Sequence, residues 1–310
     1  MPYLAQAEQY IRKSRSKVLP DSRFPIPDSR FPIPDSRFPI PDSPFPVRLK
    51  HALLTVIAAL GGSLLLLFLA APVAELIVTG GAGGVARLGR DAELRQALML
   101  TVGTATAATL IGVLCGTPVA YLLSRSPFRG RAVLSAILDL PLLIPHPVAG
   151  IALLLVFGRE SAVGGTMLAA GLRIVGSPVG IIFAMLFVSA PLYISGAREA
   201  FARVDPRYEA VARTLGDDAW RAFRRVTLPL ARRGMVASSV VMWARAVSEF
   251  GAIVILTYNP KVVSVLSWDR FATYGLAEAL PVAAVMAILA FIPLTILRAL
   301  RHERSLTAPL

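Results

Sequence analysis

Hydrophobic positions in this chain gather into long runs, at about residues 52–78, 97–123, 132–157, 178–197, 234–257 and 281–300. Each run approaches or exceeds the ~20 residues a helix needs to cross the hydrocarbon of a bilayer. The pattern predicts an all-α membrane protein with six transmembrane helices; six such runs argue against the competing reading, a soluble helical protein. Gly103, Gly112, Gly116 and Pro118 interrupt the second run, and Pro141, Pro145 and Pro147 the third. Such residues are tolerated where helices pack inside a bundle.

Between the fourth and fifth runs the pattern becomes amphipathic. In DPRYEAVARTLGDDAWRAFRRVTLP, residues 205–229, Asp205 is an N-cap and Pro206 suits the first helical position. Tyr208, Val211, Ala212 and Leu215 share one face, and Gly216 supplies a left-handed stop. Asp217 or Asp218 caps a second short helix, in which Trp220, Phe223 and Val226 recur every third residue. Pro229 and Gly234 mark the return to the apolar pattern. Exposed aromatic residues of this size need a cover. Two readings stand: a groove in a soluble partner, or lipid headgroups with the arginines on phosphates.

Composition agrees with a membrane solvent, since 55% of residues are hydrophobic and 16% charged, with mean hydropathy +0.64. The net charge of +13 is a topology signal. Arg125, Arg129 and Arg131 follow the second run. Arg198, Arg203, Arg207, Arg213, Arg221, Arg224, Arg225, Arg232 and Arg233 fill the long loop, and Arg298, Arg301 and Arg304 follow the sixth run. The alternate loops are sparser in positive charge, so both termini and the long loop are expected in the cytoplasm. Arginines spread over loops on one side do not call for nucleic acid.

The first fifty residues differ in kind. PDSRFPI repeats from Pro20, Pro27 and Pro34, and a fourth copy from Pro41 decays to PDSPFPV. Proline at this density blocks helix and sheet, so residues 1–50 are expected to form a disordered cytoplasmic tail. A tandem duplication or an early start codon accounts for it more simply than a proline-motif ligand. No apolar stretch near the start suggests a cleavable signal. Cys115 is alone in the chain and is expected to pack within the second span. There is no G-x-x-x-x-G-K-[ST] phosphate loop, and His51, His146 and His302 are too scattered for a metal site. No catalytic residue, metal or cofactor is expected.

The spacing Gly216, nine residues, then Val226-Thr227-Leu228-Pro229 resembles the EAA loop of permease subunits in ABC importers, EAA-x3-G-x9-I-x-L-P. The EAA slot holds Ala210, Val211 and Ala212, and the nearest glutamate, Glu209, stands one position early, ~100° around a helix. WARAVSEFGA, with Arg245 and Glu249, is similar to the ARA-x-(G/S)-EFGA of molybdate, tungstate and sulfate permeases, where that helix lines the pathway. Asp139-Leu140-Pro141 through His146-Pro147-Val148-Ala149-Gly150 resembles their DLP…PP-x-VAG, with His146 in place of the first proline of the pair. Tyr258-Asn259-Pro260-Lys261, Val265 to Phe271 and Thr273 to Leu276 resemble YYPM…APVLIYERF…YGL of tungstate-type permeases; a PG-x-T-x-T-x-P-L-like stretch is lacking.

The resemblance covers about residues 50–300 and implies a type I ABC importer permease architecture with cytoplasmic coupling helices. Residues 51–80 become the first transmembrane helix. Residues 95–303 become the core permease domain of five helices with a coupling loop at 198–233. Tyr208, Glu209, Ala212, Leu215, Gly216, Trp220, Phe223 and Pro229 are expected to dock an ATPase. Pro145, His146, Pro147, Arg245 and Glu249 are expected in the translocation pathway or gate. For Arg245 and Glu249, structural pairing and direct anion contact both stand; for His146, packing or hydrogen bonding is preferred to anion contact.

The implied function is the permease of an ATP-driven importer of tungstate or molybdate in the cytoplasmic membrane. The implied partners are a second copy of the chain, cytoplasmic ABC ATPase subunits, an extracytoplasmic oxyanion-binding protein and membrane lipid. A sulfate or thiosulfate importer is the alternative within this class. From another class, a membrane scaffold would use the basic loop to hold a partner or lipid. A secondary transporter is disfavoured, because no matching halves are found.

Overall fold

A computed structural model describes residues 47–306, with side chains over 54–299. The repeat tail lies outside the described residues, apart from 47–50. The chain divides into two units, Met1–Ala59 and Leu60–Leu310. Described residues of the first unit form the start of helix α1 (Val47–Leu88). The second unit holds the rest of that helix and all the others.

The helices that follow are α2 (Ala92–Arg125), α3 (Arg131–Leu143), α4 (His146–Phe157), α5 (Ala162–Ala169) and α6 (Pro178–Ala202). Then come α7 (Pro206–Thr214), α8 (Ala219–Ala222) and a π-turn over Phe223–Thr227. The chain closes with α9 (Leu228–Val247), α10 (Gly251–Leu256), α11 (Val263–Tyr274) and α12 (Leu276–Leu306). No strand occurs among the described residues.

Among the described residues, four segments are long and apolar enough to cross a membrane: Leu54–Leu88, Ala92–Arg125, Pro178–Ala202 and Leu276–Ala299. Helices α3 and α4, bent by 116° at their junction, together are apolar enough for a broken span or a re-entrant loop, and count as a fifth crossing if the pair is one span. Ile144 is extended there, as a residue preceding proline prefers. The apolar run at 234–257 is helical too, but it is divided between α9 and α10 at Ser248–Phe250. Arg232, Arg233 and Arg245 make α9 less apolar than the other long helices.

Helix α6 is the hub of the bundle, with its largest contacts to α2 and then α9. Lipid gives little hydrophobic drive for one helix to meet another, so close approach rests on small residues. Gly112 faces Met242, Gly196 faces Ser238, and Gly234 faces Ala200. Around these contacts Ala105, Ala108, Met185, Val188, Ala246 and Ile253 are buried. Thr101 and Thr109, both buried, donate to the carbonyls of Ala97 and Ala105 within their own helix. Outer faces carry large apolar side chains such as Leu64, Leu66 and Phe68. Cys115 is also exposed, contrary to the expectation that it packs.

Candidate functional site

The insert after α6 forms from local signals. Asp205 accepts from the Arg207 N–H at 2.9 Å, and Asp218 from the Arg221 N–H at 2.8 Å. Gly216 ends α7 with φ +101°, a region that disfavours side chains. The second helix is shorter than its pattern implies, because α8 runs through the π-turn straight into α9. A π-turn winds more residues per turn than an α-helix, so the expected stripe splits. Trp220 is exposed, while Phe223 and Val226 are half-buried.

Helix α7 presents its apolar side outward. Tyr208, Val211 and Leu215 are 57%, 56% and 83% exposed; Ala212 is half-buried, and Gly216 and Pro229 are exposed. Glu209 points the other way, into the bundle. Its Oε2 accepts from Tyr121 Oη at 2.9 Å, its Oε1 accepts from the Thr227 hydroxyl, and Arg125 Nη2 lies 3.3 Å from Oε1. Arg125 also donates to the Val204 carbonyl at 2.9 Å. An aromatic row runs beside this knot. Trp220 stacks on Phe223 at 5.6 Å between centroids, and Phe223 meets Tyr121 at 4.7 Å.

A second polar cluster sits near mid-bundle, where Trp243 donates to Thr106, about midway along α2. Arg245 Nη2 lies 2.7 Å from His146 Nε2 and 2.8 Å from Glu249 Oε2. Arginine has donors only, so the His146 nitrogen it faces acts as acceptor. Arg245 precedes Glu249 by four residues, the weaker order within a helix. The pair forms because α9 ends at Val247 and releases Glu249 from the helical track. Glu249 is 1% exposed; its second oxygen accepts from the Ala252 N–H at 2.8 Å, capping α10. Ser264 Oγ donates to its carbonyl at 2.8 Å.

Two glycines let these broken segments meet. A Cβ on Gly251 would stand 2.7 Å from His146 Cβ, and one on Gly150 would stand 2.8 Å from the Ala252 carbonyl oxygen. His146, Arg245 and Glu249 are thus brought together. Pro145 caps α4 beside them, and Pro147 lies in its first turn.

At the other end of α2 lies a network not singled out as a site from the sequence. Arg270, buried, reaches Asp91 at 2.6 Å and Glu93 at 3.2 Å. Lys261 reaches Asp269 at 2.6 Å and Glu93 at 3.3 Å, and the Tyr258 hydroxyl donates to Asp269. The hydrogen bond from Lys261, then that from Tyr258, holds the Asp269 carboxyl below the usual carboxylate range. Asp269 in turn raises Lys261. Burial opposes ionisation of Asp91, but the Leu94 N–H and Arg270 outweigh it and lower its pKa. The Asp91 cap spans 3 residues, and Lys261 and Tyr258 lie 8 and 11 residues from Asp269. Lys261 and Arg270, by contrast, reach Glu93 from 168 and 177 residues away, a link that no local pattern encodes.

Apolar helices around a polar break, with an insert that exposes its greasy side beyond the bundle, define a multi-pass membrane transport component. The chain belongs to the family described as binding-protein-dependent transport system inner membrane component, whose model matches residues 112–302. It is 40% identical over 248 residues to the molybdate/tungstate transport system permease protein WtpB of Thermococcus kodakarensis, covering 79% of this chain and 94% of that one. A probable molybdenum ABC transporter permease of Haloferax volcanii is 37% identical over 227 residues, 73% of this chain and 82% of the relative. Among solved structures, a bacterial ABC transporter that imports alginate matches with TM-score 0.66 at 18% identity, over 84% of this chain and 98% of that one. The MetNI methionine transporter matches at 0.55 and 17%, over 67% and 95%. The type I permease fold expected from the sequence is the fold observed. The chain is a transport subunit rather than an enzyme.

Proposed function

We propose that this chain is the permease of an ABC importer carrying tungstate or molybdate, acting as a homodimer with two ATPase subunits and an external binding protein. The observation that carries the coupling is the outward apolar face of α7 and α8, with Tyr208, Val211, Leu215 and Trp220 exposed while Glu209 turns inward. A helix standing free in water would bury that face, whereas a partner groove covers it. The arginine distribution supports a cytoplasmic side for this insert and both termini. Relatives named as molybdate/tungstate permeases supply the substrate class.

In this reading ATP binding closes the ATPase pair, moves the docked insert and rocks the spans between two packings. The anion, released by the binding protein, then meets a path near Arg245 and His146, at the break Pro145–Pro147 and Glu249. A relative named as a probable sulfate permease, 32% identical over 219 residues, keeps sulfate as the second substrate.

The test is ATP hydrolysis by the chain co-purified with its ATPase in lipid, with binding protein added empty or loaded. Stimulation by tungstate- or molybdate-loaded protein alone is expected. Stimulation by sulfate would change the substrate and keep the coupling. Failure of any ATPase to associate would overturn the importer assembly and favour a lipid-binding insert.

A further inference from the structure

We infer that Glu209 is a positioning residue that fastens the docking helix to the transport bundle, rather than part of the surface an ATPase touches. This rests on the docking reading of α7 and α8. Helix α7 has no buried residue, so apolar packing holds it only weakly. One carboxylate does the work instead, linked to Tyr121 and Arg125 of α2 and to Thr227 at the entry to α9.

The chemistry gives the links different characters. Hydrogen bonds from Tyr121 and Thr227 are directional and charge-assisted, so they set the angle of α7. The Arg125 contact is looser. Its Nε and Nη2 are buried without a hydrogen-bond partner among the described residues, although Nη2 lies 3.3 Å from Glu209. An attraction between charges depends little on angle, so it persists through a small rotation of α7. Glu209 also neutralises a guanidinium that is mostly buried, which is costly to leave unpaired. A push on the outer face of α7 therefore reaches α2 and α9 together. The helices so joined are those that pack on the α6 hub.

The one-residue offset of the glutamate now has a physical meaning. Tyr208, Val211 and Leu215 keep the outward face, and the neighbouring position turns toward α2.

The test uses Glu209→Gln and Tyr121→Phe in the full chain in lipid, beside Trp220→Ala. Tyr121→Phe keeps the ring against Phe223 and leaves no charge unpaired, so it guards against a folding failure in the first variant. Amide exchange over Pro206–Thr214, read on the chain alone, is expected to quicken about tenfold or more in Glu209→Gln and less in Tyr121→Phe. ATPase association is expected to stay near wild type in both, while anion uptake per ATP falls. Loss of association in Glu209→Gln equal to that in Trp220→Ala would overturn the inference, as would unchanged exchange and uptake in both variants. If the unaltered chain binds no ATPase, the docking reading fails, and the exchange measurement still decides whether Glu209 fastens α7.

Discussion

Trp220 stacks on Phe223 with centroids 5.6 Å apart and planes 27° from parallel, yet the two rings occupy different environments. Trp220 is 66% exposed. Phe223 is half-buried and meets both Tyr121 and Phe201 edge-on or tilted. One ring faces outward and the other anchors it to α2 and α6.

Truncation of the two rings should therefore separate docking from stability. Trp220→Ala is expected to weaken ATPase association by a factor of about 30 or more, as loss of an aromatic anchor of ~2 kcal/mol does. The melting temperature of the chain alone should hardly change. Phe223→Ala is expected to lower stability by roughly 1–3 kcal/mol, less than full burial would give. Co-purification titrations and thermal melts in lipid check the pair; equal melting shifts would refute the division.

Much of the insert was legible because its signals are local. Asp205, Gly216 and Asp218 act where their residue types and neighbours indicate, since caps and left-handed stops involve only a few residues. The destination of Glu209 was not legible. Tyr121 is 88 residues away, and no spacing within the insert encodes it. The same holds for His146 and Arg245, 99 residues apart. Apolar runs told where helices form but not where they break, so 234–257 read as one span. The bond from Ser264 of α11 to the Glu249 carbonyl at that break joins residues 15 apart, and nothing in the apolar run encodes it.

At the mid-bundle cluster, charge and cap can be separated. Glu249→Gln keeps an oxygen for the Ala252 N–H but leaves Arg245 without its counter-charge. Transport is expected to fall at least tenfold with assembly intact, if the charge is what the path requires. Glu249→Ala removes both roles at a site 1% exposed and should cost about 3–5 kcal/mol, the range for breaking a buried pair. Normal uptake in the Gln variant would remove this carboxylate from the pathway.

Glycine substitutions test how closely the broken segments must approach. A Cβ on Gly150 would meet the Ala252 carbonyl at 2.8 Å and Ile255 Cβ at 2.9 Å. Backbone has to shift, so Gly150→Ala is expected to cost roughly 1–3 kcal/mol. Gly103 has nothing within 4 Å of such a Cβ, and alanine there should be neutral or stabilising by up to ~1 kcal/mol. Melting curves of the two variants in lipid should therefore move apart; a similar response in both would show that α4 and α10 can separate freely.

The ion network at the far end of α2 predicts a pH dependence with a definite sign. Asp269 and Asp91 have folded pKa values below the ordinary range. Their contribution is complete above the unfolded carboxylate value, ~4, and is lost as pH falls through the folded one. Lys261 is raised, chiefly by Asp269. Its contribution is complete below the unfolded value, ~10.4, and is lost as pH rises through the folded one. Stability from this network should thus be flat between about pH 5 and pH 9 and decline on the acid side first. Asp269 and Lys261 keep side-chain exposures of 24% and 21%, so screening by solvent and salt limits the size of the effect. Asp269→Asn should lower the neutral plateau and shrink the acid loss, leaving the part due to Asp91. Thermal melts from pH 3 to neutrality, about the carboxylate range, decide the matter: an acid loss undiminished in both Asp269→Asn and Asp91→Asn would mean that protonation elsewhere sets the acid limit.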